Sequence, residues 1–166
     1  MQNFKNKTVV ITGGTSGIGL ATAKQLVAQE AKVIITGRNK DVVEAEAKNI
    51  GAIGIVSDQS KLSHIDELVK EATNKLGKVD VLFINAGIAA FAPISAIAEN
   101  DFDTMMDINF KGAVFTLQKF LPILNDGASV IFLSSINSYN AMENTTVYAA
   151  SKAALNMLTQ CLAREV

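Results

Sequence analysis

The sequence predicts an α/β protein built on a doubly wound parallel sheet with helices on both faces. Three observations carry this. Short runs rich in Val and Ile alternate with longer helical patterns, in the order βαβαβαβαβα. The strand runs are almost continuously apolar rather than alternating, which marks strands buried on both sides. The first run leads straight into a glycine-rich turn, and a helix follows. Crossovers between the parallel strands of such a sheet are right-handed.

Taken in order, strands are expected at Thr8–Thr12, Lys32–Thr36, Ile53–Ser57, Val79–Asn85 and Ser129–Leu133. Helices are expected at Gly17–Gln29, Asp41–Lys48, Ile65–Leu76, Ala98–Leu124 and Thr146–Glu165. Ser63, ahead of Ile65, Asp66 and Glu67, reads as an N-cap with acids in the first turn. Gly77 after Leu76 reads as the stop of the same helix. The stretch Ile84 to Ala98 is apolar but holds Asn85, Gly87, Pro93 and Ser95, so it reads as a strand end followed by a pocket-lining loop. Gly112 inside the long helix costs about 1 kcal/mol against Ala, so close packing or a local irregularity is expected there. With 166 residues and no internal repeat, residues 1–166 read as a single domain.

Composition narrows the partners. At 49% hydrophobic the chain has the material for a full core. A net charge of -1 and the lack of any Lys/Arg run argue against nucleic acid or an anionic membrane surface. The N-terminal residues lack the apolar centre of a signal peptide, and no stretch reaches the roughly 18 continuous apolar residues of a membrane span. A soluble cytoplasmic protein is expected. The single Cys161 cannot form an internal disulfide and is expected to be a small buried apolar residue of the last helix. His64 belongs to no motif and is given no catalytic role. No His/Cys/Asp/Glu group has metal-ligand spacing, so no metal is expected.

Two stretches carry chemistry. The first is Thr12-Gly13-Gly14-Thr15-Ser16-Gly17-Ile18-Gly19, with four glycines in seven residues. Glycines let backbone N–H groups approach a phosphate, and the helix N-terminus adds its dipole. The spacing is Gly-x-x-x-Gly-x-Gly, not the usual Gly-x-Gly-x-x-Gly. About 20 residues on, no acid stands at the tip of the second strand to take a ribose hydroxyl. Gly37 leaves room and Arg38 offers a guanidinium suited to a phosphate, which favours NADP(H) over NAD(H). A solvated Arg in a turn is the alternative. The second stretch is Tyr148-Ala149-Ala150-Ser151-Lys152. Residues four apart share a helix face, and an ammonium beside a phenol suits it to give or take a proton. Alone this pair is weak.

In combination, these motifs resemble the short-chain dehydrogenase/reductases. The matching residues are Thr12-Gly13-x-x-x-Gly17-Ile18-Gly19, Asn85-Ala86-Gly87 after the fourth strand, Asn109, Ser135 and Tyr148-x-x-x-Lys152. They occur in family order and span essentially the whole chain. The resemblance implies a Rossmann-like fold and an NADP(H)-dependent oxidoreductase that interconverts a carbonyl and an alcohol. It makes Tyr148 the acid/base, with Lys152 favouring its ionised form and holding the nicotinamide ribose. It makes Ser135 the donor to the substrate oxygen, in preference to Ser134, because Ser135 lies thirteen residues before Tyr148. Asn109 would hold a water that links Lys152 to solvent. Asp58 would accept from the adenine amino group, and Asn85, Ala86 and Gly87 would line the adenine-side ribose and tie the fourth strand to Thr12. Gly13, Thr15, Ser16, Gly17, Ile18 and Gly19 would cradle the cofactor. Asp58 as a turn residue and Asn109 as a backbone-bonded helix residue remain alternatives.

The chain departs from the family in length. Relatives continue with two strands, a helix and a substrate-covering loop, whereas this chain ends at Val166 in a helical pattern without a stop signal. A C-terminally incomplete member is therefore expected, with an open sheet edge and uncovered apolar faces. A non-catalytic dinucleotide-binding module, or an inactive fragment, is the alternative function. The resemblance also implies homo-oligomers for the intact protein through the two long helices, Ala98–Leu124 and Thr146–Glu165. A smaller departure is Ile84, where relatives often carry a second Asn. The substrate class is not legible in the loops Ile88–Pro93 and Asn137–Met142.

Overall fold

The computed structural model describes residues 4–166. Five strands form one parallel sheet: β1 (Thr8–Thr12), β2 (Lys32–Gly37), β3 (Ile53–Val56), β4 (Val79–Ile84) and β5 (Leu124–Phe132), in the order β3-β2-β1-β4-β5. The order reverses between β1 and β4, so the carboxyl ends of those strands open a crevice.

The apolar strand runs serve both faces of the sheet. Val10, Ile34 and Leu82 pack against α3 (Leu62–Leu76), α5 (Gly112–Phe120) and α6 (Thr146–Glu165). Val9, Ile11, Val33, Ile35 and Phe83 pack against α1 (Gly17–Ala28) and α2 (Lys40–Ile50). Alternate side chains of one strand thus enter two cores, which is why the runs show no polar alternation. At β5 the second face is thinner: Ile131, opposite Phe83, is 47% exposed, and β5 is an edge of the sheet.

Three expected elements are corrected. The single helix over Ala98–Leu124 is instead α4 (Glu99–Met106), a π-helical segment (Asp107–Lys111), α5, and a 3-10 turn (Leu121–Ile123). Pro122 lacks the N–H that would continue the helix, so the chain turns and β5 starts at Leu124, opposite Val79. An irregularity between Val79 and Val81 precedes the regular register of Ser129–Phe132, and Gly127 supplies a φ of +75° within it. The third helix begins at Leu62, so Ser63 lies inside it and caps nothing. A turn in which the Lys61 N–H reaches the Asp58 carbonyl at 3.0 Å starts that helix instead. Cys161 is exposed rather than buried. The buried stripe of α6 runs through Val147, Ser151 and Leu155 to the half-buried Leu158 and Leu162, and Cys161 lies off it.

Other boundaries shift by a residue or two. In α2 the Asn39 side chain accepts from the Val42 N–H at 3.2 Å, and Gly51 ends the helix with φ +76°. Gly77 closes α3 with φ +73°.

Candidate active site

The crevice holds a cavity of about 350 Å³ at the carboxyl ends of the strands. Gly13, Thr15, Ser16, Gly17, Ile18, Arg38, Asp58, Asn85, Ala86 and Gly87 all line it, together with Gln59, Ile88, Ile108 and Leu133. Gly19 lies beneath the loop rather than on its surface. A Cβ there would stand 2.5 Å from the Gly13 carbonyl oxygen and 2.6 Å from Asn85 Nδ2. Gly13 has φ +62°, and a Cβ there would meet the Ala86 Cα at 2.8 Å. The loop can thus lie flat against the β4 end only with glycine at both places.

Thr12 and Asn85 join the two central strands. The buried Thr12 Oγ1 accepts from the N–H groups of Asn85 and Ala86, both at 3.1 Å. Asn85 Nδ2 donates to the carbonyls of Thr12 at 2.9 Å and Gly13 at 2.8 Å. Ile84 is buried, and its carbonyl accepts from the Leu133 N–H at 3.0 Å.

At one end of the cavity, Arg38 is exposed just after Gly37, whose missing Cβ would meet Thr15 Cγ2 at 2.9 Å. Asp58 follows β3. Its Oδ1 accepts from the Ser60 N–H at 3.0 Å and the Ser60 hydroxyl at 2.8 Å, so it does form a turn while lining the cavity. Partial burial pushes the Asp58 carboxyl up, but the Ser60 hydroxyl and N–H, with the charges of Lys61 and Arg38, outweigh this and hold it below the usual range.

Asn109, Ser135, Tyr148 and Lys152 do not line this cavity; Asn109 and Lys152 lie behind its wall at Gly87, where a Cβ would stand 3.2 Å from both Asn109 Oδ1 and Lys152 Nζ. Asn109 sits in the π-helical segment, fully buried. Its Oδ1 accepts from the Ile88 N–H at 2.8 Å, and its Nδ2 donates to the Ile88 carbonyl at 2.9 Å and to Ser151 Oγ at 3.1 Å. Ser151 Oγ in turn donates to the Tyr148 carbonyl at 2.7 Å. This chain fixes the loop after β4 to the first turn of α6, and both amide protons of Asn109 are used in it. Lys152 is 4% exposed and donates to the Leu133 carbonyl at 2.8 Å. Burial pushes its pKa down. Its Nζ lies 5.9 Å from the centre of the Tyr148 ring, whose other neighbour is Phe91, edge-on at 5.7 Å.

Ser134 and Ser135 diverge. Ser134 Oγ is turned to the Lys152 carbonyl at 3.2 Å. Ser135 Oγ accepts from the Asn137 N–H at 3.2 Å, and its own proton has no acceptor among the described residues. Ser135 makes no hydrogen bond with Tyr148 here.

Ser60, His64 and Ser151 support the site although no role was read for them in the sequence. Ser151 stands between Tyr148 and Lys152, so the signal was present in the motif itself. His64 accepts from the Asp58 N–H at 3.2 Å through Nδ1, a contact that only the fold reveals. Among the described residues no group of three or more His, Cys, Asp or Glu could hold a metal, and no helix is long and apolar enough to cross a membrane.

Comparison with known proteins agrees with this geometry. The short chain dehydrogenase family matches residues 7–166. An uncharacterized oxidoreductase of Staphylococcus epidermidis is 34% identical over 170 residues, covering 100% of this chain and 74% of its own length. A blue fluorescent protein from a metagenomic library, solved with NADPH, superposes with a TM-score of 0.93 at 31% identity, over 99% of this chain and 70% of its own. A short chain dehydrogenase/reductase from Burkholderia phymatum, solved with NAD, gives 0.94 at 26% identity, over 100% and 62%. The match runs through the loop at Gly13, the β4 end and the Tyr148–Lys152 helix alike, and the chain belongs to the short chain dehydrogenase family and is an oxidoreductase of that type.

Proposed function

We propose that the protein is an NADP(H)-dependent oxidoreductase that interconverts a small carbonyl compound and its alcohol, with Tyr148 as the acid/base. One observation carries the reading. A cavity lined by a glycine-floored loop, a guanidinium and a half-satisfied carboxylate includes Gly87, where a Cβ would stand 3.2 Å from Lys152 Nζ, itself 5.9 Å from the centre of the Tyr148 ring. The cradle fits a dinucleotide: Cβ atoms are missing where the backbone must come close, and Arg38 suits a ribose 2′-phosphate. The relatives support a nicotinamide dinucleotide, one having been solved with NADPH and another with NAD. Arg38 is the ground for choosing NADP(H).

When bound, the nicotinamide supplies or accepts the hydride. The protein manages one proton. In reduction the Tyr148 hydroxyl gives its proton to the oxygen of the reacting carbonyl, and in oxidation Tyr148 takes it back. The unspent proton of Ser135 Oγ donates to that same oxygen and stabilises its developing charge. The Lys152 ammonium holds the ribose hydroxyls, and the Asn109–Ser151 chain keeps Tyr148 and Lys152 at fixed height on α6. A water held by Asn109, linking Lys152 to solvent, belongs to the same reading. So do a cytoplasmic location and homo-oligomers, the latter supported by the exposed Phe102, Leu121 and Met157 around α4, α5 and α6.

The test is NADPH consumption with a panel of ketones and aldehydes, run beside NADPH titration, on the wild type and Tyr148→Phe. Turnover by the wild type and none by the variant, with similar NADPH affinity, is expected. Turnover by the variant removes Tyr148 from the mechanism. NADPH binding without turnover by either points to a binding module.

A further inference from the structure

We infer that His64 is a positioning residue for the adenine end of the cofactor, holding Asp58 so that one carboxylate oxygen is left for the exocyclic amine. This rests on the dinucleotide reading above and extends it to a residue of α3. The loop from Ser57 to Lys61 is pinned atom by atom. The Ser57 N–H donates to the Gly37 carbonyl at 2.9 Å, and Ser57 Oγ donates to the His64 carbonyl at 3.3 Å. The Asp58 N–H donates to His64 Nδ1 at 3.2 Å. The Asp58 carbonyl accepts from the Lys61 N–H at 3.0 Å, and Oδ1 accepts twice from Ser60. Only Oδ2 of Asp58 has no donor among the described residues.

The chemistry of that arrangement is selective. A carboxylate on a cavity wall with one uncommitted oxygen takes an N–H donor, and an adenine presents one in its amino group. His64 must keep Nδ1 unprotonated to accept, which places its single ring proton on Nε2. Loss of that acceptor frees the Asp58 N–H beside a half-buried ring, so the loop must turn to satisfy it and the carboxylate turns with it. His64 touches neither substrate nor reacting atoms. Its effect passes through Asp58.

The experiment pairs variants of His64 with two probes, NADPH and its deamino analogue, in which the adenine amine is replaced by a carbonyl. Affinities are read by fluorescence titration. The wild type should bind NADPH roughly five- to tenfold more tightly than the analogue. His64→Phe keeps the ring and removes the acceptor, so the preference should collapse toward one, chiefly by weaker NADPH binding. His64→Asn places an amide oxygen near the Nδ1 position and should restore the preference to within about twofold. His64→Gln, whose amide reaches past that position, repeats the loss should the phenylalanine variant not fold. An unchanged preference in His64→Phe or His64→Gln overturns the inference, as does equal weakening toward both probes. A wild type that binds NADPH and the analogue alike removes the Asp58–amine contact and His64 with it. A folded wild type that binds neither overturns the dinucleotide reading itself.

Discussion

A Cβ on Gly112 would stand 2.3 Å from the backbone carbonyl oxygen of Gln59. Gly112 opens α5 directly after the π-helical segment that carries Asn109, and Gln59 directly follows Asp58. The buried Gln59 side chain also donates to Thr116, one turn further along α5. The Asp58 loop of the cavity and the π-helical segment that carries Asn109 are thus locked together by a contact in which neither partner can give way, because the obstacle is backbone. Helix propensity favours Ala over Gly by about 1 kcal/mol. The contact should override this. Gly112→Ala is expected to lower stability by about 2–4 kcal/mol in urea unfolding, and to weaken NADPH binding as the Asp58 loop is displaced. Equal or greater stability would show that α5 can slide away freely.

Lys152 makes the opposite case. Its ammonium is almost wholly desolvated, with the Leu133 carbonyl as its acceptor. Burial pushes its pKa down, which means that the charged form is carried at a cost. Lys152→Met keeps the length of the side chain and removes the charge. It should abolish turnover and raise stability by about 1 kcal/mol, since residues held for function need not favour the fold. A loss of stability in the same urea measurement would mean that the bond to Leu133 outweighs the burial.

Much of the fold was legible because its physics is local. Val9, Val10 and Ile11 are fully buried, and a run that enters two cores shows itself as unbroken apolar sequence. The motifs at Gly13, Asn85 and Tyr148 were legible for the same reason: each is contiguous. Part of what carries no motif depends on contacts that only the folded chain makes. The start of α3 is set by the Asp58–Ser60 turn, not by Ser63, because the loop is already folded against Gly37 and His64. The π-helical segment at Asp107–Lys111 keeps helical periodicity and leaves no compositional mark, although Gly112 hinted at an irregularity. Pro122 was a readable stop that a long helical expectation passed over. His64 and Gln59 carry no motif at all. Their roles exist only once β3 delivers Asp58 to the cavity.

Arg38 sets the next expectation. It is exposed at the cavity wall, where Gly37 leaves space beside Thr15, and its charge helps to hold the Asp58 carboxyl low, after the larger effects of burial and Ser60. If the guanidinium meets the 2′-phosphate, Arg38→Ala should weaken NADPH about 10- to 50-fold and leave NADH within about twofold. Parallel titrations decide it. Equal losses for both cofactors would assign Arg38 to the loop rather than to the phosphate, and the NADP(H) preference would fall.

The last expectation concerns the amino ends of the strands, away from the cavity. Asp80 accepts from the Thr8 N–H at 2.9 Å, the Thr8 hydroxyl at 2.9 Å, Lys7 Nζ at 3.1 Å and Asn125 Nδ2 at 3.1 Å. It therefore ties β1, β4 and β5 together at one point. Burial pushes the Asp80 carboxyl up, but these donors outweigh it and hold it at about 2, below the ordinary 3.8. Because the folded value lies below the unfolded one, the stabilisation is fully present above the ordinary value and is lost as pH falls through about 2. Asp80→Asn keeps the shape and removes the charge. It should be about 1–2 kcal/mol less stable than the wild type at pH 7, less than the full shift implies, because the Lys7 partner is exposed to solvent. The gap should narrow between pH 4 and pH 2 as the wild type takes up its proton. Urea unfolding across that range tests it: a gap that stays constant would show that the charge contributes nothing, and that the asparagine loses only hydrogen-bond geometry.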